Sequence, residues 1–400
     1  MTLSDKQIAM CEASRWDFAS GVSQYYRHHV NQIDQDRNDF VTFSALLSDF
    51  DFSLRRDGDS VDLGARLAIS HFYNLADTNR SIDPNRVSYA YMDLDADRGD
   101  WSLRLGRQSL HNWGVLGRFD GAHFSYDWRN GPRLHYTMGF PVESTRYPVR
   151  TNREFQGIAV EFEDLVGRWD IGPYVNQQTI DSIDDRQAVG MEARYLDDRR
   201  SLTGMLDYDA HYGELNSVLA LGTWRFENRM TITALVDMRM SPLLTTRNAL
   251  IGQPVSTIDE MLLVWTPEEI EQIALDRTAR SLTTTFGFAK PVGERFQINA
   301  DVTATEIDST VASAGVEALP GIGQQIYYSA SFVGSSIFGT GDVSVLSLRH
   351  GTAETFETSQ ITWDVRFPIG RKIRLNPRLR YAVWDGLESG RSRDKVSASL

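Results

Sequence analysis

The stretch WSLRLGRQSL, residues 101 to 110, alternates bulky and polar side chains from end to end. Successive side chains of a strand leave on opposite faces, so Trp101, Leu103 and Leu105 share one face while Arg104 and Gln108 take the other. The same period of two recurs in RWDFASGVSQYYR (15 to 27), VTFSALLSDFDFSLRR (41 to 56), VDLGARLAISHFYN (61 to 74) and VSYAYMDLDA (87 to 96). It continues through MTITALVDMRM, ARSLTTTFGFAKP, TSQITWDVRFPI and KIRLNPRLRYAVW to a further strand beginning at KVSASL, about twenty strands in all. That is far above the strand content of ordinary globular chains.

The connections narrow the fold. Tight turns such as RDGDS (56 to 60), DRGD (97 to 100), RNG (129 to 131), DDRR (197 to 200), VGE (292 to 294) and GRK (370 to 372) fall at every second junction. Between them lie variable and mostly longer connections, among them 28 to 40, 75 to 86, 111 to 120, 143 to 153, 181 to 185, 242 to 278 and 309 to 323. Short alternating with long is the rhythm of outer-membrane barrels, with periplasmic turns and extracellular loops. A soluble propeller or repeat array would show a motif per blade, and none is visible. The fold class expected is therefore all-β: a transmembrane antiparallel up-and-down β-barrel of roughly 18 to 22 strands with a short helix in one long loop.

Composition agrees. The chain has 400 residues, 41% of them hydrophobic, so it is built to fold. Its net charge of −13 argues against a nucleic-acid partner. The single Cys11 makes no internal disulfide and has no zinc-ligand spacing, so it reads as an inert thiol; no metal or cofactor is expected. No run of ~18 apolar residues offers a transmembrane helix, and MTLSDKQIAM lacks the apolar core of a signal peptide. A β-barrel needs no long apolar run, because lipid-facing and lumen-facing residues alternate.

On most strands one face is apolar, as in Leu63, Leu67, Ile69; Ile158, Val160, Phe162; Ile232, Val236, Met238; and Leu282, Phe286, Phe288. The other carries Arg66, Arg104, Gln108, Arg133, Glu192, Arg194, Asp207, Asp237, Arg239, Asp301, Asp364, Arg366, Arg374, Arg378 and Arg380. Charges facing lipid would cost several kcal/mol each, so these residues are expected to line a watery lumen and the path of any substrate. They either pair across the lumen and stiffen it or guide a charged solute. Residues 1 to 12 are expected to be a periplasmic leader, or the stump of a preceding domain, with the barrel spanning 13 to 400. KVSASL is only half a spanning strand, so the sequence reads as a fragment.

LRLGRQSL and GVLGRFDGA resemble the barrel domain of exopolysaccharide-export outer-membrane proteins, especially the Pel type, in which periplasmic tetratricopeptide repeats precede the barrel. Alginate-type export porins carry a similar Gly-Arg-Gln followed by Arg-x-Asp-Gly. The residues concerned are Gly106, Arg107 and Gln108, then Gly114, Val115, Leu116, Gly117, Arg118, Phe119, Asp120 and Gly121. The resemblance covers only about twenty residues, and this chain shows no repeats of its own. It implies a Gram-negative outer-membrane channel exporting a polymer, above all an exopolysaccharide of biofilms. Its partners would be outer-membrane lipid, a periplasmic domain or protein joined at the N-terminus, and the polysaccharide. Arg107, Arg118 and Asp120 read equally as a salt-bridge cluster at the strand rim or as substrate contacts.

The connection 242 to 278 exceeds ordinary loop lengths, and such loops usually carry function. Within TPEEIEQIALDR, Thr266 as N-cap, Pro267 at N1 and Glu269 at N3 predict a capped helix with Ile270, Ile273 and Ala274 on one face. Folded into the lumen the helix would narrow or gate the pore, and lying outward it would be a solvated extracellular cap; the apolar run MLLVW (261 to 265) asks for a surface to bury against, which favours the inward position. Trp265, Glu268, Glu269 and Ile270 are the gate candidates.

His71, His111 and His123 are placed where an outer-membrane hydrolase could recruit them, but no nucleophile elbow, metal-spaced histidine pair or phosphate loop accompanies them. The chain is not expected to be an enzyme. Three classes remain: a polymer-export channel, a passive or substrate-selective diffusion porin, and an anchor or adhesin with a blocked lumen.

Overall fold

The computed structural model describes residues 16–32, 39–75, 85–96, 99–115, 117–129, 131–370, 373–387 and 390–399. The expected leader 1 to 12 and Leu116 of the motif lie outside the described residues. The chain forms two compact units, Met1–Phe162 with Gly172–Val189, and Glu163–Ile171 with Gly190–Leu400.

The first unit holds β1 (Trp16–Gln32), β2 (Asp39–Arg56), β3 (Val61–Asn74), β4 (Asn85–Ala96), β5 (Trp101–Leu110), β6 (Gly117–Asp127), β7 (Arg133–Pro141) and β8 (Arg153–Glu161). β9 (Trp169–Ile180) and β10 (Ile183–Leu196) each contribute residues to both units. The second unit continues with β11 (Arg200–Asp209), β12 (Glu214–Arg225), β13 (Thr231–Ser241), β14 (Ala279–Val292), β15 (Phe296–Ile307), β16 (Ile322–Ser335) and β17 (Val343–Thr352). It ends with β18 (Phe356–Ile369), β19 (Ile373–Leu375), β20 (Arg378–Gly386) and β21 (Arg391–Ser399). Within each unit strands pair antiparallel with their neighbours in sequence. The all-β, antiparallel, up-and-down sheet expected from the alternation is thus the one found, with 21 strands among the described residues.

Two details differ from the reading of the sequence. KIRLNPRLRYAVW is two strands, because Pro377 has no N–H for the ladder. Its carbonyl instead accepts from Val365 N at 2.9 Å, and β18 pairs with β19 and β20 in turn. The connection after β9 is only the two residues Asp181 and Ser182, at φ +46° and +70°. Positive φ at both positions gives the type I′ turn whose twist suits a hairpin.

At the turn after β10, Asp197 accepts from the backbone N–H groups of Arg199 and Arg200, the Tyr195 hydroxyl and the Arg200 guanidinium. Those donors, the Arg199 N–H foremost, hold its carboxyl below the usual range. A depressed folded-state value means that the turn's contribution is present above the ordinary carboxylate value of about 4 and is lost as pH falls below it. Thermal unfolding of wild type against Asp197→Asn should show the wild type ahead at pH 7 and the two curves converging under acid. A gap unchanged at pH 3 would contradict this.

Large apolar side chains stay exposed along the apolar face, among them Phe18, Val22, Met138, Val175, Phe286, Phe332 and Leu348. On that face, aromatic side chains collect at strand ends beside short turns. Trp101 is the register partner of Tyr126, whose ring meets Trp128 edge-on at 5.1 Å. In the second unit Trp169 packs on Tyr195 at 5.2 Å, and the Arg200 guanidinium lies over both Tyr195 and Trp224.

Candidate functional site

The site is built where β5, β6 and β7 bend. Gly106, Gly121 and Gly139 are register partners across the three strands. Gly106 lies at φ +118°, and a Cβ there would overlap the Ala90 carbonyl oxygen and sit 2.9 Å from Tyr91 Cα. A Cβ on Gly121 would overlap the Met138 carbonyl oxygen. Only glycine permits backbones this close.

The pairing of β5 with β6 runs through Gly106 without a shift of register, and the residues just beyond it are enclosed. Arg107 and Gln108, neighbours in sequence, are both buried. Arg107 makes a two-pronged pair with Asp120, both contacts 2.7 Å, and also donates to the carbonyls of Val87 and Tyr147. Gln108 Nε2 donates to the carbonyls of Arg104 and Gly121, so this amide braces its own hairpin and does not line an open path. Arg118 lies over the Tyr89 ring at 5.5 Å, and Phe119 is buried against Phe155. Of the three residues read as a salt-bridge cluster, Arg107 and Asp120 pair, while Arg118 meets the Tyr89 ring. The Pel-type export resemblance is not supported.

Beyond the bend, residues 111–115 fold back over the polar face of the first unit. The Trp113 ring stacks on His135 at 3.6 Å and on His123 at 5.7 Å, and packs on Ala159, Tyr174 and Ala188. Gly114, at φ +75°, presses so closely on Tyr174 that a Cβ would lie 2.5 Å from the ring; its carbonyl accepts from Arg186 at 3.0 Å. Val115 completes a second cluster with Phe119, Phe155 and Leu110. A segment held at so many points is a fixed shelf.

Around the shelf the polar face is charge-paired. Arg104 binds Asp93 at 2.5 Å under cation–π contact with Tyr91, and Arg66 binds Asp51 at 2.9 Å while lying over Tyr89. Arg133 pairs with Asp127, and Arg153 with the fully buried Asp185. Sequence reading singled out Arg66, Arg104 and Arg133 from the period alone. It missed Trp113, Tyr174, Asp185 and Arg186, because they meet only through the folded loop; the glycine and tryptophan within HNWGVLG were the available signal.

In the second unit Asp237 pairs with Arg239, Asp364 with Arg378, and Asp301 accepts from Ser329. Glu192 is half-buried and Arg194 exposed on β10, and Arg366, Arg374 and Arg380 are exposed. Asp207 is fully buried near the C-terminal end of β11, beside Asn216, which binds both the N–H and the carbonyl of Leu244. On β17 to β21, Arg349, Arg366, Arg378, Arg380, Arg393 and Lys395 share the face of Asp364, the one carboxylate there among the described residues.

The 242 to 278 segment holds three short helices, Thr246–Leu250, Ile258–Met261 and Pro267–Asp276. The last has the expected capping box of Thr266 and Glu269, and buries Ile270, Ile273 and Ala274. Glu269 and Ile270 thus hold the loop's own fold; Glu268 is exposed and Trp265 half-buried. MLLVW finds a surface only in part: Met261 is buried, while Leu263 and Val264 are 85% and 71% exposed, contrary to the expectation that the run buries. The loop is anchored at Tyr212 through Thr246 and at residues 311–313 through Arg277.

Of the histidines, His71 binds Asn85 and His111 binds Ser109. Among the described residues no group of three His, Cys, Asp or Glu side chains could hold a metal.

Neither protein-family models nor curated proteins match the sequence. Solved structures do resemble it. Pseudomonas aeruginosa OccK9 (OpdG) is 11% identical over 97% of each chain with a TM-score of 0.41. Pseudomonas aeruginosa OccD3 (OpdP) is 8% identical over 96% of this chain and 86% of that one, TM-score 0.40. A BenF-like porin from Pseudomonas fluorescens Pf-5 is 10% identical over 97% of each, TM-score 0.39. Likeness at this level carries no argument about what the chain binds.

Proposed function

We propose that the chain is a β-barrel channel of a Gram-negative outer membrane that lets small charged solutes, anions in particular, diffuse across it, and that it performs no covalent chemistry. The observation that carries this reading is the shelf of residues 111–115 on the polar face. A fixed, packed shelf suits a constriction that sorts small solutes and would obstruct a threading polymer. The membrane setting is supported by exposed apolar side chains facing away from the charges, and by aromatics at the strand ends where a bilayer interface would lie. Short turns would face the periplasm. The basic face of β17 to β21 supports anion preference, since arginine-lined pores favour anions.

Single-channel recording of the refolded full chain in a planar bilayer tests this. The intact chain should conduct, with a reversal potential displaced toward anions in a salt gradient. Trp113→Ala should raise the conductance roughly twofold, because it trims the shelf on the polar face. Silence from both proteins would refute the channel reading and favour an anchor.

A further inference from the structure

We propose that the apolar face of β6 to β9 seats one acyl chain of lipid A, the phosphorylated glucosamine lipid of a Gram-negative outer leaflet, and that the connection 142–152 holds its phosphate. The inference rests on the membrane reading above, with the short turns at the periplasm. Three register rows cross these strands. In the first, Phe124, Tyr136, Ile158 and Val175 are all bulky and largely hydrocarbon. The second is Ala122, Met138, Gln156 and Gln177, where a methyl leaves room and two amides are register partners. The third contains Asp120, Phe140, Glu154 and Thr179 and lies next to the connections 142–152 and 181–182, at the strand ends away from the short turns.

A groove of about 420 Å³ opens over the second row, between Ala122, Met138, Phe140, Gln156, Gln177 and Thr179. Against plain hydrocarbon its two amides would cost free energy. The chains of lipid A offer them partners, because they join the sugar through amides and bear hydroxyls close to it; a phospholipid tail presents only ester acceptors there. Gln156 Oε1 accepts from the Tyr136 hydroxyl at 3.4 Å, which keeps its Nε2 hydrogens for a ligand. Beside the groove, Asp120 is engaged by Arg107, whose guanidinium also donates to the Tyr147 carbonyl at 3.1 Å. That bond, and the one from Val87 N to the Thr145 carbonyl, tie the connection 142–152 to β4 and β5. The Arg150 guanidinium lies 3.9 Å over the Tyr147 ring, and Arg146 and Arg150 are exposed and, among the described residues, pair with no carboxylate. Both suit a phosphate. Glu154, exposed in the third row, would accept from a sugar hydroxyl. Apolar row, amides and then arginines match acyl chain, amide and hydroxyl, and phosphosugar in order.

The test is native mass spectrometry of the full chain in detergent, mixed with diphosphoryl lipid A or with palmitoyl-oleoyl phosphatidylglycerol. Wild type should retain one lipid A in preference to phosphatidylglycerol. Ala122→Trp, which fills the groove, should retain about tenfold less, equivalent to ~1.4 kcal/mol. Ala300→Trp, on the apolar face of β15, is the control and should retain as much as wild type. Arg146→Ala with Arg150→Ala, on an exposed connection, should lose the wild type's preference for diphosphoryl over monophosphoryl lipid A, and it decides the matter if Ala122→Trp does not fold. Equal retention by wild type and the groove or arginine variant, or equal retention of lipid A and phosphatidylglycerol by wild type, would overturn the proposal. Flotation of wild type with vesicles of phosphatidylglycerol and lipid A separates the failures. A protein that floats without a selective lipid A adduct sinks only the groove; one that does not float sinks the membrane reading with it.

Discussion

Arg107→Ala should cost about 3–5 kcal/mol of stability, because it leaves a carboxylate only 11% exposed without its partner. Arg107 is 6% exposed, and its guanidinium satisfies both oxygens of Asp120 together with the carbonyls of Val87 and Tyr147. Truncation strands all of these acceptors at once. Lysine should recover little, since an ammonium cannot reproduce the planar fork. Arg107→Ala combined with Asp120→Ala should lose less than the single change, because no uncompensated charge remains. The urea midpoint of the refolded protein reads all three. Wild-type stability in Arg107→Ala with altered solute flux would instead make this pair a contact on the transport path.

Gly121→Val should abolish the folded form. Its Cβ would overlap the Met138 carbonyl oxygen and come within 2.6 Å of Gly139 Cα, backbone atoms of a paired strand with no side chain free to yield. The expected cost exceeds about 4 kcal/mol, in the range reserved for changes that force backbones apart. Gly117→Val is the control: nothing lies within 4 Å of a Cβ at Gly117, so that variant should fold like wild type. The readout is the folded, heat-modifiable band on a gel without boiling. A Gly121→Val protein that migrates as folded would show that the three strands separate more easily than their register implies.

A period-2 pattern is a local property, since each side chain's face follows from the residue before it. For that reason the antiparallel up-and-down sheet, the faces of Arg66, Arg104, Arg133, Asp237 and Arg378, and the capped helix at Thr266 were all legible in the sequence by itself. Reading by period gave no sign that Gln108 is buried, because its amide is enclosed by the carbonyls of Arg104 and Gly121, which alternation does not reveal. It also misread Leu263 and Val264, because an apolar run in a loop does not say which of its members finds a surface. What only the tertiary structure decided is the shelf. Trp113 reaches His135, Tyr174 and Ala188 through the path of residues 111–115, and contacts between residues so far apart in sequence leave no period to read.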